Sequence, residues 1–198
     1  MQVKSERRSN RDRTAATRAA LTAAARRFFV AKSYGATGTP EIVAAAGVTR
    51  GALYHHFSDK RALFAAVAEA EAAAVAAGIE RAAPQGRDPI EALIKGGEAF
   101  LDAMAEPGRT RLLLLDGPAV LGRGKIDEID ARHGGRTLRE GLDEAMRAGA
   151  IRELPLETMA GLLGAAYDRA ALMIDGGHDS GEVRAGLAAL IRGLAGAR

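Results

Sequence analysis

The chain has 198 residues and no cysteine, which excludes disulfide bonds and thiolate metal sites. Its longest stretch without a charged residue covers residues 158–167, about half of the roughly 20 residues that a membrane-spanning helix needs. The charged first 13 residues are not followed by the apolar block of a secretory signal. We therefore expect a cytoplasmic protein with no membrane-spanning segment.

The charged residues are unevenly distributed along the chain. Residues 1–60 contain 11 Lys and Arg against 4 Asp and Glu, a net charge of +7, whereas residues 61–198 contain 17 against 21, a net charge of −4. A basic segment attracts polyanions such as nucleic acid, and the acidic remainder repels them. A charged face that only keeps a protein in solution gives the same pattern, so charge alone leaves both interpretations open.

The periodicity of the apolar residues predicts an all-α fold. Segments rich in Ala, Leu, Arg and Glu alternate with short Gly and Pro breaks, without a long strand-like alternation. Residues 1–12 are polar and predict a disordered basic arm. Apolar positions at helical spacing predict a first helix over residues 14–33, with Tyr34-Gly35 as its C-terminal cap.

Two short helices are predicted next. Thr39 supplies a capping hydroxyl before a proline and a glutamate, which is typical of a helix start, and Gly47 ends that helix. Thr49 supplies a second capping hydroxyl for another brief helix over residues 50–57. The two helices are therefore separated only by a tight turn.

A long connecting helix and further helical segments complete the predicted fold. Ser58 is the expected cap of the connector, which runs to Ala82 and ends before Pro84-Gln85-Gly86. The later segments are 89–105, 109–121 with a bend at Gly117-Pro118, 126–148 with a kink at Gly134-Gly135, 156–174, and 180–195 with a cap at Asp179.

The segment TPEIVAAAGVTRGALYHHFSDKRALF, residues 39–64, is the most informative part of the chain. Apolar side chains at Ile42, Val48 and Leu53 are expected to pack inward, which is typical of a helix-turn-helix unit. The second helix then presents a polar, basic outer side that fits the major groove of DNA, where the small Gly51 and Ala52 allow a close approach. The other side chains on this outer side are Arg50, Tyr54 and His55.

This segment resembles the DNA-binding domain of TetR-family repressors. The resemblance rests on the Gly-Val-Thr turn, the Leu-Tyr-His-His-Phe end of the second helix and the following Ser-Asp-Lys, and it covers about residues 14–70. It implies phosphate contacts by Thr49, Tyr54 and Lys60, base contacts by Arg50, Ala52 and His55, and a contact of Thr39 with the DNA backbone. Val43 departs from the family, which often has alanine at the close approach of the two helices.

The resemblance implies two domains after the arm at 1–12. Residues 13–60 form an N-terminal three-helix helix-turn-helix DNA-binding domain, and residues 61–198 form a C-terminal helical domain that binds a ligand and dimerises through the last two helices. Small residues in the penultimate helix would allow close approach of a second copy, and the last helix has an apolar stripe to bury. The small residues are Gly161, Gly164, Ala165 and Ala166.

Candidate ligand-binding residues are aromatic, flexible or polar side chains on inward helix faces, although each also fits an ordinary structural role. Residues 61–198 contain only three aromatic residues, so an apolar or amphipathic effector is expected rather than a flat stacked one. The candidates are Phe100, Met104, Leu113, His133, Tyr167 and Arg169.

The sequence therefore predicts a ligand-responsive repressor that binds a near-palindromic double-stranded DNA operator as a homodimer. A DNA-binding regulator without a small-molecule effector is the alternative, and the sequence does not separate the two. Catalytic motifs are absent, so we expect neither an enzyme nor a cofactor. His55 and His56 do not predict a metal site, because adjacent helical side chains point about 100° apart.

Overall fold

The computed structural model describes residues 3–82 and 88–195, with side chains from residue 11 onward. All regular elements in these ranges are helical, which confirms the all-α prediction. The helices are α1 (Val3–Ala36), α2 (Thr39–Ala46), α3 (Arg50–His56), α4 (Lys60–Ala82), α5 (Pro89–Met104), a π-helical turn π1 (Arg111–Asp116), α6 (Gly117–Leu121), α7 (Arg123–Arg132), α8 (Gly134–Arg147), α9 (Leu156–Asp175) and α10 (Ser180–Ala195).

The first helix is longer than the sequence predicts. It begins at Val3, so residues 3–12 are helical where we expected a disordered arm. A packed helix can extend into a polar segment, because each added residue gains one backbone hydrogen bond without a new nucleation step. The regular helix breaks at Ser33, which has a φ of 73°, one residue before the expected cap at Tyr34-Gly35.

Three hydrophobic clusters hold the helices together. The first contains Phe29, Leu53 and Phe64, and it also includes Leu112 and Ile129 from beyond the predicted boundary at residue 60. Packing therefore joins the helix-turn-helix unit to π1, α6 and α7. The second and third clusters pack α4 and α5 against α8, α9 and α10.

The long helix α4 is apolar enough and long enough to span a membrane by composition alone. In the structure it is a core helix, because Leu63, Val67 and Val75 are buried against neighbouring helices. Its charged side chains pair within the protein, as Glu71 does with Arg26. This packing is typical of a central core helix.

Several helix ends differ from the prediction by one residue. Gly38, not Thr39, is the N-cap of α2, and its backbone N–H donates to Glu41 Oε1 at 2.9 Å. Asp59, not Ser58, caps α4, because its carboxylate accepts from the Ala62 N–H at 2.7 Å. Asp179 does cap α10, as expected, by accepting from the Glu182 N–H at 2.8 Å.

Two predicted irregularities are also placed differently. Residues 111–116 form a π-helical turn that ends where α6 begins at Gly117, and Leu115 is 51% exposed rather than buried. The kink expected at Gly134-Gly135 is a full break at His133, where α7 ends and α8 begins. The predicted break at Pro84-Gln85-Gly86 lies outside the described residues.

Candidate DNA-binding surface and ligand cavity

The short helix α3 is presented on the surface by a fixed turn. Gly47 ends α2 in the left-handed conformation, with a φ of 66°, and the Thr49 hydroxyl caps α3 by accepting from the Ala52 N–H at 3.1 Å. Leu53 and Phe57 anchor the inner side in the first cluster. The opposite side faces solvent, so the predicted inward and outward sides of this helix are confirmed.

The predicted DNA-contacting residues lie on one surface. Thr49, Arg50, Gly51 and His55 are exposed, Tyr54 is 43% exposed, and Ala52 and Thr39 are half-buried. The helix α3 contains no Asp or Glu. This surface is cationic, and the residues at its centre have small side chains that allow it to approach a duplex groove.

Tyr54 is held in place by its neighbours. Hydrogen bonds with the side chains of Thr39 and then Arg50 lower the pKa of Tyr54 below its usual range. The Arg50 guanidinium carbon also lies 5.5 Å from the centre of the Tyr54 ring. The arrangement connects the start of α2 to the outer side of α3, and it gives Thr39 a positioning contact that the sequence did not predict.

Lys60 makes structural contacts that the sequence did not predict. Its ammonium group donates to the carbonyl oxygens of Tyr34 and Thr37, both at 2.9 Å, and lies 4.3 Å from the centre of the Tyr34 ring. An ammonium group has three donors. Lys60 therefore stabilises the end of α1, and at most one N–H remains for a phosphate.

Arg18 is a residue of this surface that the sequence analysis missed. Its guanidinium lies 4.4 Å from the centre of the Phe57 ring and donates to the His56 carbonyl oxygen at 3.3 Å. These contacts fix the C-terminal end of α3 against α1. No sequence motif signals them, because Arg18 and His56 meet only after α1 packs across α3.

A buried ionic cluster connects the helix-turn-helix unit to the rest of the protein. Glu71 on α4 is 7% exposed and accepts hydrogen bonds from Arg26 on α1 and Arg109 before π1, each at 2.8 Å. Burial alone would raise the pKa of Glu71, but the two guanidinium groups outweigh it and hold the pKa below its usual range. A second connection is made by Arg61, which donates to the carbonyl oxygens of Val120 at 3.0 Å and Leu121 at 2.7 Å.

A cavity of about 500 Å³ lies between α4, α5, α8 and α9, and Asp130 of α7 also lines it. Of the six predicted ligand-binding residues, Phe100 and Tyr167 line it, and their ring centres lie 5.7 Å apart. The other four do not line the cavity. Met104 is buried in the second cluster, Leu113 packs at the junction of the first two clusters, His133 contacts Glu69 at 2.6 Å, and Arg169 faces solvent.

Glycines create much of the space in this cavity. A Cβ atom at Gly97 would overlap with the phenol of Tyr167, so the ring lies across α5 only because residue 97 has no side chain. Gly134-Gly135 was predicted only as a kink, and the space that Gly97 leaves for Tyr167 was not predicted. The lining glycines are Gly96, Gly97, Gly134, Gly135, Gly141 and Gly164.

Acidic side chains also line the cavity, and the sequence analysis did not identify them. Arg136 pairs with Glu80 and Glu140, but Asp168 has no ion pair or hydrogen bond to its carboxylate among the described residues. Burial, and then the negative charge of Asp130, raise the pKa of Asp168 to about 6. The lining carboxylates are Glu80, Asp130, Glu140, Glu144 and Asp168.

The outward face of the last two helices is apolar and made of small residues. Leu162 on α9 is 63% exposed and Leu190 on α10 is 57% exposed. Of the small residues predicted for this face, Gly161 and Ala165 point outward, whereas Gly164 lines the cavity and Ala166 packs in the second cluster. Much of the predicted α10 stripe is already covered within the chain, because its Leu187 and Ile191 are buried.

The chain matches two family models. Residues 21–67 match the model described as bacterial regulatory proteins of the tetR family, and residues 90–197 match the model described as the tetracyclin repressor-like C-terminal domain. The two matches cover the helix-turn-helix unit and the helices around the cavity, respectively.

Individual relatives agree with these matches. A TetR-family transcriptional regulator from Pectobacterium atrosepticum is 32% identical, with a TM-score of 0.74, over 94% of this chain and 98% of that one. The HTH-type transcriptional activator FasR of Mycolicibacterium smegmatis is 36% identical over 96 residues, which are 48% of this chain and only 44% of FasR. RolR, whose structure contains resorcinol, is 19% identical, with a TM-score of 0.73 over 94% of this chain and 91% of RolR, and shows the shared fold.

A helix-turn-helix unit packed on a helical domain with its own cavity defines a class of transcription regulators. This chain belongs to the TetR family, because both family models match and together they cover the greater part of its length.

Proposed function

We propose that the protein is a homodimeric, ligand-responsive transcriptional repressor of the cytoplasm that binds a near-palindromic DNA operator and is released by a small-molecule effector. One observation carries the proposal: the helix α4 forms the core beneath α3 with its first half and lines the cavity with Ile79 and Glu80. A ligand in the cavity therefore touches the same helix that supports the DNA-binding surface.

The proposed DNA contacts divide by chemistry. Hydroxyl and ammonium donors suit phosphate oxygens, whereas Arg and His side chains at the start and middle of a helix suit base edges. Gly51 and Ala52 keep the centre of the surface free of bulk. We assign the phosphates to Thr49, Tyr54 and the remaining donor of Lys60, the DNA backbone to Thr39, and the bases to Arg50, Ala52 and His55.

The proposed dimer uses the outward face of α9 and α10. Leucine side chains surrounded by glycine and alanine allow two helix pairs to pack closely as a four-helix bundle. Two recognition helices then read two half-sites, which supplies the selectivity that a single α3 lacks.

Release follows from differential affinity of the effector for two spacings of the recognition helices. A ligand between α4 and α8 would displace α4, and the contacts of Arg61 and Glu71 would transmit that displacement to α6 and α1. The relative FasR is named as a transcriptional activator. Activation is therefore the second candidate for the direction of regulation, and a reporter gene downstream of the operator distinguishes the two.

A regulator without a small-molecule effector is the alternative. Measurements of operator binding distinguish it, because its affinity for DNA would stay unchanged with every compound that enters the cavity. A cavity of about 500 Å³ within a single chain favours the ligand-responsive form, since binding sites for small molecules have such volumes.

Replacing Arg50 with alanine is expected to weaken operator binding by about 1–3 kcal/mol, because a base or phosphate loses its charged partner. The operator is first selected from random duplexes with the wild-type protein, and affinity is then measured by fluorescence anisotropy. Arg152→Ala is the control, since Arg152 is an exposed arginine outside the helix-turn-helix unit. Equal losses of operator affinity in the two variants would show that binding depends only on the overall charge of the protein.

Replacing Leu162 with aspartate is expected to convert the dimer to a monomer, because two carboxylates would meet in an apolar interface. Analytical ultracentrifugation measures the change. Leu115→Asp is the matched control, since Leu115 is a half-exposed leucine on π1 and belongs to neither α9 nor α10. A Leu162 variant that remains dimeric would place the interface elsewhere.

A further inference from the structure

The cavity lining is acidic, and most of its negative charge is not balanced by a cation among the described residues. Five carboxylates line it, and no Lys, Arg or His side chain does so in the described part of the chain. Arg136 pairs with two of the five, Glu80 and Glu140. Arg123, the arginine whose charge acts on Asp168, is engaged with Asp127 at 2.9 Å. Three carboxylates, those of Asp130, Glu144 and Asp168, therefore face the cavity without an ion-pair partner among the described residues.

The negative charge of Asp130 acts on Asp168. Burial and the charge of Asp130 together raise the pKa of Asp168, and burial also raises the pKa of Asp130 despite a hydrogen bond from the Gly135 backbone. Like charges in a partly desolvated site favour a proton or another cation between them. The excess negative charge at Asp130 and Asp168 therefore favours a cationic ligand in the cavity.

A buried phenol at the same cavity provides an independent observation. Tyr167 lines the cavity with only 6% of its surface exposed, and its hydroxyl has no hydrogen-bond partner within the residues described. Burial raises the pKa of Tyr167 to about 12, so the hydroxyl stays protonated and neutral. Buried phenol hydroxyls usually have a polar partner. The described part of the chain leaves no fully buried side-chain oxygen without a partner, so this hydroxyl is reached from open space, and a ligand in the cavity can bind it.

The rest of the lining is apolar. Ile79, Leu93 and Leu138 contribute aliphatic surface, and Phe100 contributes an aromatic ring near Tyr167. Aromatic rings attract cations through their faces and also pack against apolar groups. The cavity therefore combines an apolar wall with an acidic region, which matches an amphipathic molecule that has one charged end.

We propose that the effector is an organic cation, an apolar body with a protonated amine, whose ammonium group binds between Asp130 and Asp168 while the apolar body packs against Phe100 and Leu93. The inference rests on the proposed function in one respect, that this cavity is the effector site. It specifies that the expected apolar or amphipathic effector is a cation, and it assigns Asp130 and Asp168 as the residues that recognise its charge.

The test compares three probes that share a phenyl ring on a four-carbon chain and differ in the terminal group: the cation 4-phenylbutylamine, the neutral 4-phenylbutanol and the anion 4-phenylbutyrate. Binding to the full chain without DNA is measured by isothermal titration calorimetry at pH 7.5. We expect the amine to bind at least about tenfold more tightly than the alcohol, because a desolvated ion pair contributes more than a neutral hydrogen bond, and the butyrate not to bind. Asp168→Asn and Asp130→Asn should each remove that preference.

The controls separate this inference from the proposed function. Glu153→Gln removes an exposed carboxylate outside the cavity and should leave amine binding unchanged. Circular dichroism and operator binding of the Asp168→Asn variant show whether it is folded. No binding by the amine, equal binding by all three probes, or an unchanged preference in both Asp variants would overturn the cation assignment. Operator binding, measured separately, would still support a DNA regulator in each of those cases.

Discussion

Replacing Glu71 with alanine is expected to lower the free energy of unfolding by about 3–5 kcal/mol, because two guanidinium groups would lose their buried counter-charge. Arg26 and Arg109 both point at this carboxylate, and Arg109 is largely enclosed as well. The loss should appear as a lower midpoint in urea denaturation, followed by circular dichroism. Operator release by an effector should also weaken, since the cluster connects α1 with α4 and the start of π1.

Glu69→Ala is the matched control for this experiment. Glu69 lies on the same helix and pairs with Arg132 and His133, but its side chain is 39% exposed. Solvent screens such a pair, so its removal should cost only about 0–1 kcal/mol. Equal destabilisation by the two variants would mean that burial does not determine the contribution of the Glu71 cluster.

Replacing Asp168 with asparagine is expected to stabilise the unliganded protein by about 1–3 kcal/mol at pH 7.5. The pKa of Asp168 is raised to about 6, so the folded protein binds its proton more tightly than the unfolded chain does. Ionisation therefore opposes folding. Asparagine has nearly the same shape and no charge, and it removes this penalty.

The pH dependence provides a sharper test of the same substitution. Wild-type stability should fall relative to the variant as the pH rises from about 4 to about 6, and the difference should then stay constant. Urea denaturation of both proteins across this range measures the difference. A variant that is less stable at every pH would contradict the assignment.

The charged groups around Asp168 are Arg123, Asp127 and Asp130 on α7, Glu80 on α4, and Glu140 and Glu144 on α8, while α5 contributes no titratable side chain to the cavity lining.

The two sites of this protein differ in how much local sequence reveals about them. The helix-turn-helix surface is built from one short segment, so capping residues, a turn glycine and apolar spacing were enough to predict the orientation of Leu53 and Tyr54. Lys60 was the exception. Its partners, the carbonyl groups of Tyr34 and Thr37, lie more than 20 residues away, and a segment-based interpretation cannot include them.

The cavity was predicted less well because five separate helices form it. Phe100 and Tyr167 were identified from their chemistry, but Met104, Leu113, His133 and Arg169 point elsewhere. A single helical face is consistent with several rotations of the helix about its axis, and only packing selects one of them. The acidic lining was missed for the same reason, since Asp130 and Asp168 are nearly 40 residues apart in the chain.

The amino-acid sequence by itself determined the helical class, the helix-turn-helix unit and the charge of the DNA-binding side, because these depend on contacts between residues close in the chain. Tertiary structure alone decided which carboxylates meet at the cavity, that Glu71 is shared by two arginines, and that Gly97 makes room for Tyr167. Those features arise where distant helices pack, and their energies depend on burial and distance rather than on local pattern.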